Sequence, residues 1–321
     1  MKQVVSGVLL LDKPCGISSH AALAKAKFLL QSAHHNSKKA GHTGTLDPMA
    51  TGLLPLCFGE ATKFAQYGLT ATKGYTAIIR LGQQTDTGDA DGAVIAVQDV
   101  PDFDDEMLQE IAHSLLGTQQ QVPPMYSALK KDGKKLYEYA RAGVEIERES
   151  RAITIFELTL HKRSADELAL SVVCSKGTYV RVLGETVAQQ LGTVGHLTAL
   201  RRTQTGSCDI ANAITLDEFE CLTFTERLDR MLPVDYLIQH FVKIELDDIE
   251  TQRAMLGQRL NIKNRLPVAI AETTTTAQSV RLYHDGKFVG LGTVEPSGRL
   301  QPKKMLGTAV NRHSPKTLKQ P

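Results

Sequence analysis

In residues 41–52, GHTGTLDPMATG, one carboxylate stands alone: Asp47, fixed against Pro48, in a stretch of small, hydroxyl and apolar residues with three glycines. Taken by itself, Asp-Pro among glycines is turn chemistry, the Asp bonding its own backbone and the Pro fixing the next dihedral. A phosphate cradle would end in GK[ST] and would not carry an acid, which repels phosphate. Glycoside hydrolysis needs two facing carboxylates, and this loop offers one. What remains is a single acid held in place by its own turn.

A second residue stands out by its position. The stretch LALSVVCSKGTYVRVLGETVAQQLG predicts a buried strand, a turn at Lys176-Gly177, and a helix from near Thr178 that stops before Gly192. Arg181 then falls in the first turn of that helix, where the dipole disfavours a cation by a few tenths of a kcal/mol or more. An anionic partner is the simplest compensation.

The surrounding chain predicts the elements that would position these groups. GVLLLDKP predicts a short buried strand, and SSHAALAKAKFLLQSA a helix capped by Ser18 or Ser19, with Leu23, Ala26 and Leu30 on its apolar face. LLPLCFG predicts a buried strand and EATKFAQYG a short helix. In KGYTAIIRLG, Tyr75, Ala77, Ile79 and Leu81 alternate with Thr76, Ile78 and Arg80, so Tyr75 opens a strand soon after the Asp47 loop. QTDTGDADG predicts a polar turn, with AVIAVQ a strand after it. Asp89, Asp91 and Gly92 in that turn fit calcium-loop offsets, but Thr87 and Gln98 occupy the first and twelfth ligand positions, which argues against calcium. DFDDEMLQEIAHSLLG predicts a helix, and residues 123–143 a basic, proline-bounded excursion with a KKDGKK turn and a short helix. From about 220 to 245 the mixed charge predicts a linker. IETQRAMLGQRL predicts a helix beyond it, and three strands joined at Asp285-Gly286 and Ser297-Gly298 predict a small β-rich module. Residues 311–321 read as a flexible tail.

Composition sets the limits. With 321 residues and 42% hydrophobic content, the chain can form a large domain plus a smaller one. Five cysteines without a CxxC pair or a neighbouring histidine cluster point to a reducing cytoplasm and away from a zinc site. No apolar run approaches the roughly 18 to 20 residues of a membrane helix, and VLLL near the start is too short for a signal peptide, so a soluble protein is expected. The net charge of +2 conceals segregation: residues 81–120 hold nine Asp or Glu and no Lys or Arg. That pattern permits a basic face for a polyanion elsewhere.

Several of these stretches together resemble a known family. GHTGTLDPMATGLLPLCFGEATKF, LLLDKPCGISS, KGYTAIIRLGQQTDTGDADG, VPPMYSALKKDGKKLYEYARAG and CSKGTYVRVLGETVAQQLG are similar, in order and spacing, to motifs of the bacterial tRNA pseudouridine synthases of the TruB type, over residues 7 to about 206. The departures are Gly195, where alanine is usual, and Cys208, at a commonly aromatic position.

The resemblance implies an α+β pseudouridine synthase fold, a mixed, mostly antiparallel sheet with flanking helices about a central cleft. It implies a catalytic domain over 1–240, a thumb-like insertion at 123–143 and a PUA-like RNA-binding module over 241–310, a match that is looser in the C-terminal third. The implied reaction isomerises uridine at position 55 of the tRNA T loop to pseudouridine, without cofactor or metal. The base must be flipped out of its stack to be reached. By resemblance Asp47 is the catalytic aspartate, acting as nucleophile toward ribose carbon 1 or uracil carbon 6, or as base at ribose carbon 2. Arg181 would pair with it and lower its pKa. Tyr75 would stack on the uracil and take the proton from carbon 5, and His42 would support the rearranged T loop. Lys63, Lys130, Lys134, Arg141, Lys176, Arg201 and Arg202 are candidate RNA contacts. The partner is the tRNA T arm, with no membrane and no obligatory protein partner. A relative working on another RNA or through a guide RNA, and a tRNA-binding protein without catalysis, are the alternative readings.

Overall fold

The computed structural model describes residues 2–266 and 276–307. The expected 311–321 tail lies outside the described residues, as does the end of the 241–310 module.

The chain enters through β1 (Gly7–Lys13), whose alternate residues serve two cores: Leu9 and Leu11 face the main one, Val8 and Leu10 a smaller one. The helix α1 (Ser19–Leu29) follows, its free amide at Ala21 bonded to the Ser18 hydroxyl at 3.1 Å. After the 43–50 loop, β2 (Thr51–Phe58) pairs antiparallel with β1 and is buried along nearly its whole length. A 3-10 turn leads into α2 (Ala65–Thr70), and β3 (Lys73–Leu81) then buries Ala77, Ile79 and Leu81 with Tyr75 on the same face. A hairpin of β4 (Gln83–Thr85) and β5 (Val94–Val97) carries the acidic turn. Next come α3 (Asp105–Ser114), capped by Asp104, and β6 (Gly117–Gln121).

The excursion after β6 contains the expected tight turn. Lys130–Lys131 pair with Lys134–Lys135 across Asp132 and Gly133, both at positive φ (51° and 82°), and α4 (Leu136–Arg141) follows. The chain returns in β7 (Arg151–Lys162), β8 (Glu167–Cys174), α5 (Val180–Gln190) and β9 (Gly195–Thr205). The sheet runs β1-β2-β9-β3-β8-β7-β6, with three short segments beside it, Ala40–His42, Cys208–Asp209 and Ile214–Thr215. Only β2 with β9, and Ile214–Thr215 with β1, pair in parallel. The mixed, mostly antiparallel sheet is as expected, and α1, α3 and α5 share one continuous core with it.

Residues 220–245 are not a plain linker. α6 (Leu216–Cys221) and α7 (Phe224–Asp229) both begin with capping boxes, at Thr215 and Thr223. Phe219, Met231, Leu237 and Ile238 are buried. Mixed charge concealed this: the charged residues lie on the outer faces of short helices whose few apolar residues do the packing. β10 (Val242–Glu245) already belongs to the second sheet. With α8 (Asp248–Met255), β11 (Gln278–His284), β12 (Lys287–Val294) and β13 (Arg299–Met305) it builds a small β-rich module around its own core of Ile244, Val280, Leu282, Val294 and Leu300.

The module is joined to the first body by more than a chain crossing. Lys63 Nζ donates to the Met305 carbonyl (2.8 Å), Lys304 Nζ donates to the Lys63 carbonyl (2.7 Å), and the Gly307 amide donates to Glu60 (3.0 Å). Phe64, Ile238, Leu291 and Leu306 form an apolar cluster across the junction. No described helix is long and apolar enough to cross a membrane.

Candidate active site

The loop presenting Asp47 is held from beneath by its backbone. Ser19 Oγ accepts from the Leu46 amide (2.7 Å) and donates to the Leu46 carbonyl (3.0 Å). The Pro48 carbonyl accepts from the Gly16 amide (2.9 Å), and Leu46, Met49 and Ala50 are buried in the main core. Lys13, with no exposed surface, directs Nζ at the carbonyls of Pro14 and Ile17 (2.8 Å each) and of Pro48 (3.4 Å). Burial pushes its pKa down to about 8. Asp47 is thereby held on a fixed platform, half-buried, its side chain 36% exposed.

Arg181, the second residue of α5, is buried, and its guanidinium meets two carboxylates: Asp47 Oδ2 at 2.9 Å and Asp89 Oδ2 at 3.5 Å. It also donates to the carbonyls of Thr87 (2.6 Å) and Tyr126 (2.7 Å). The anionic compensation expected at this helix start is therefore double. Asp89 was considered in the sequence only as a calcium ligand; here Thr87 Oγ1 (2.6 Å) and the Asp91 amide (3.2 Å) donate to its Oδ1 and aim its other oxygen at Arg181. Three aspartates within six residues gave no signal of which one turns inward.

Arg181 lowers the Asp47 pKa as expected, by its charge and its hydrogen bond, but burial, with the Asp89 charge added, outweighs it and raises the pKa above the ordinary carboxylate value. The net direction is upward because removal from water penalises the anion more than a cation shared with a second acid can recover.

Tyr75 lies opposite Arg202 in the β3–β9 register, half-buried, and burial raises its hydroxyl pKa while the Arg202 guanidinium, bonded to it, opposes the rise. Arg202 is only 1% exposed and donates to the carbonyls of Leu53 (2.7 Å) and Gly44 (3.1 Å). As placed here it braces the loop and Tyr75 rather than reaching outward to a phosphate. The close pairing requires Gly52, at φ +104°, because a Cβ there would lie 2.3 Å from the Arg202 carbonyl oxygen. His42 stands at the head of the loop beside β2, half-buried, and its pKa is lowered by burial and by Arg202 and His20. Its Nδ1 is buried without a hydrogen-bond partner among the described residues.

The other basic residues divide. Lys130, Lys134, Arg141 and Lys176 are exposed. Lys63 is bound to Glu60 (2.6 Å) and to the C-terminal module, and Arg201 forms a two-pronged pair with Asp12 (2.5 and 3.1 Å). Their charges are engaged within the protein, which the sequence reading as free RNA contacts did not anticipate.

Residues 32–180 match the family described as TruB family pseudouridylate synthase (N terminal domain). The tRNA pseudouridine synthase B of Psychrobacter cryohalolentis is 48% identical, the match covering 94% of each protein. The chain belongs to the TruB family. That of Neisseria meningitidis serogroup B is 46% identical over 97% of each. Two C-terminal descriptions of the TruB family match residues 181–239 and 243–306. Among solved structures, a chain of an H/ACA RNP bound to a substrate RNA containing 2'-deoxyuridine aligns with TM-score 0.64 and 19% identity, covering 95% of this chain and 86% of that one. A chain of a Cbf5-Nop10-Gar1 complex aligns with TM-score 0.61 and 23% identity, covering 92% and 80%. These two likenesses establish a shared pseudouridine synthase fold.

Proposed function

We propose that this TruB family member isomerises uridine 55 in the T loop of tRNA to pseudouridine, with Asp47 as the reacting carboxylate. The observation that carries this reading is the 2.9 Å pair of a partly open Asp47 with a buried Arg181 on a rigid platform. In the reaction the bond from ribose carbon 1 to uracil nitrogen 1 breaks, the uracil turns, the bond to carbon 5 forms, the proton at carbon 5 leaves and nitrogen 1 takes one up. Atoms then balance without a co-reactant. The flipped uracil stacks on Tyr75, whose hydroxyl takes the carbon 5 proton. Arg181 keeps the carboxylate ionised and oriented, and Asp89 holds Arg181.

Lys130, Lys134, Arg141 and Lys176 supply phosphate contacts, and His42 supports the T loop. The domains divide as 1–240 for catalysis and 241–310 for a PUA-like RNA-binding module, with 123–143 closing over the RNA. The protein works in the cytoplasm. Its 48% identity to a tRNA pseudouridine synthase B over nearly its full length supports a stand-alone enzyme over a guide-dependent one.

The test is tritium release from an unmodified tRNA transcript labelled at uridine carbon 5, comparing wild type and Asp47→Ala at matched RNA saturation. Release by the wild type alone, mapped to position 55, is expected. No release by either protein, with binding intact, would overturn the reading.

A further inference from the structure

The excursion between β6 and β7 grips the start of α5 at both of its stems. At one stem Gln121 caps the helix: its Oε1 accepts from the Tyr179 amide (2.8 Å) and its Nε2 donates to the Tyr179 carbonyl (3.1 Å). At the other, Arg151 donates to the Gly177 carbonyl and its guanidinium lies 4.8 Å from the centre of the Tyr179 ring. The two stems are register partners, Gln121 with Arg151. Between them the excursion sends Tyr126 into the site itself. Its carbonyl takes the same Arg181 nitrogen that holds Asp47, at 2.7 Å, and its hydroxyl donates to Asp86 Oδ2 at 3.3 Å. Asp86 begins the turn whose Thr87 and Asp89 hold the other Arg181 nitrogen. Tyr126 thus ties the excursion to both sides of the guanidinium. The next residue leaves an unsatisfied group at the same root: Ser127 is 4% exposed and its hydroxyl is buried with no hydrogen-bond partner among the described residues. A buried hydroxyl left unpaired is costly, so a shift of the root that paired it would be favoured.

We propose that Tyr126 is a positioning residue that couples the placement of the basic excursion to the aim of Arg181 at Asp47, so that RNA engaging the excursion sets the alignment of the reacting pair. This rests on the reading of Asp47 as the reacting carboxylate. The charged and titratable groups involved come from every element around the pair. Asp47 faces Arg181 of α5, Asp89 of the β4–β5 turn and Lys13 at the end of β1, while Arg181 also faces Glu185 one turn along α5, and Tyr75 of β3 faces Asp47 and Arg202 of β9. Of these, Arg181 opposes the effect of burial on Asp47 most strongly. Loosening its aim therefore raises the Asp47 pKa and moves the acid limb of the rate to higher pH.

The experiment is single-turnover tritium release across pH by Tyr126→Phe, which keeps the ring and the carbonyl and removes only the hydroxyl tether. The single-turnover plateau should fall by about two- to fivefold, the worth of an exposed hydrogen bond. The acid limb should move up in pH, with tRNA affinity and melting temperature unchanged. Asp86→Asn, which keeps the acceptor for the Ala93 amide, replaces the charged acceptor of the tether with an amide NH2 and so weakens the same tether from the other side. The double variant should be no slower than the slower single one. An unshifted acid limb in both single variants, beside a wild type that releases tritium and an Asp47→Ala that does not, would overturn the proposal alone. A wild type that releases none would overturn both readings.

Discussion

Asp89 and Asp47 hold the same guanidinium, at 3.5 and 2.9 Å, and the two acids therefore compete for Arg181. Asp89→Asn removes a negative charge that raises the Asp47 pKa and leaves Arg181 to one acid. Both changes lower that pKa. The acid limb of the single-turnover rate should move to lower pH, the opposite of Arg181→Met, while loss of alignment lowers the plateau by about tenfold or more. A pH profile of the two variants at saturating enzyme checks the opposed signs.

Because Asp47 must be ionised to react and its pKa is raised, the wild-type rate should fall with acidification at a pH above the ordinary carboxylate range. Arg181→Met should lower the rate at neutral pH by roughly a hundredfold or more, since the developing charge loses its fixed cation. Unchanged tRNA affinity by filter binding separates this from a binding defect.

Tyr75→Phe keeps the aromatic face and removes the hydroxyl bonded by Arg202. Tritium release should drop by about a hundredfold with little change in tRNA affinity, as for loss of a proton acceptor. Loss of affinity in step with rate would assign Tyr75 to stacking alone.

Arg202 and Lys134 test buried against exposed charge. Arg202→Met removes both carbonyl braces and should cost about 2–4 kcal/mol of stability, read by urea denaturation. Lys134→Ala should leave stability unchanged and reduce the salt slope of tRNA binding by about one.

Residues 123–143 should gain hydrogen-exchange protection when tRNA is added. Unchanged protection would remove the excursion from the RNA-contacting surface.

Much of this was legible because each readable feature had its own local signal. Tyr75 could be placed on the core face because β3 alternates strictly with Ala77 and Ile79. Arg181 could be flagged because a cation at a helix start requires compensation. Asp89 could not, because its inward turn depends on Thr87 and Asp91 bonding one of its oxygens. Arg201 and Arg202 are neighbours of the same type. Alternation puts them on opposite faces, but which face is buried depends on Gly44, Leu53 and Tyr75 from other strands. The 220–245 segment was misread for a related reason: short capped helices bury one or two residues each, too few for a periodic signal.

The junction between the two bodies has a further consequence. Lys63, Lys304 and Glu60 exchange hydrogen bonds across it, beside the apolar cluster of Phe64 and Leu291. The distance from Asp47 to the outer face of the C-terminal module is accordingly set by packing rather than by a slack tether. A nucleic acid that meets both bodies is measured against a fixed span, and its second contact forms without the entropy of a search.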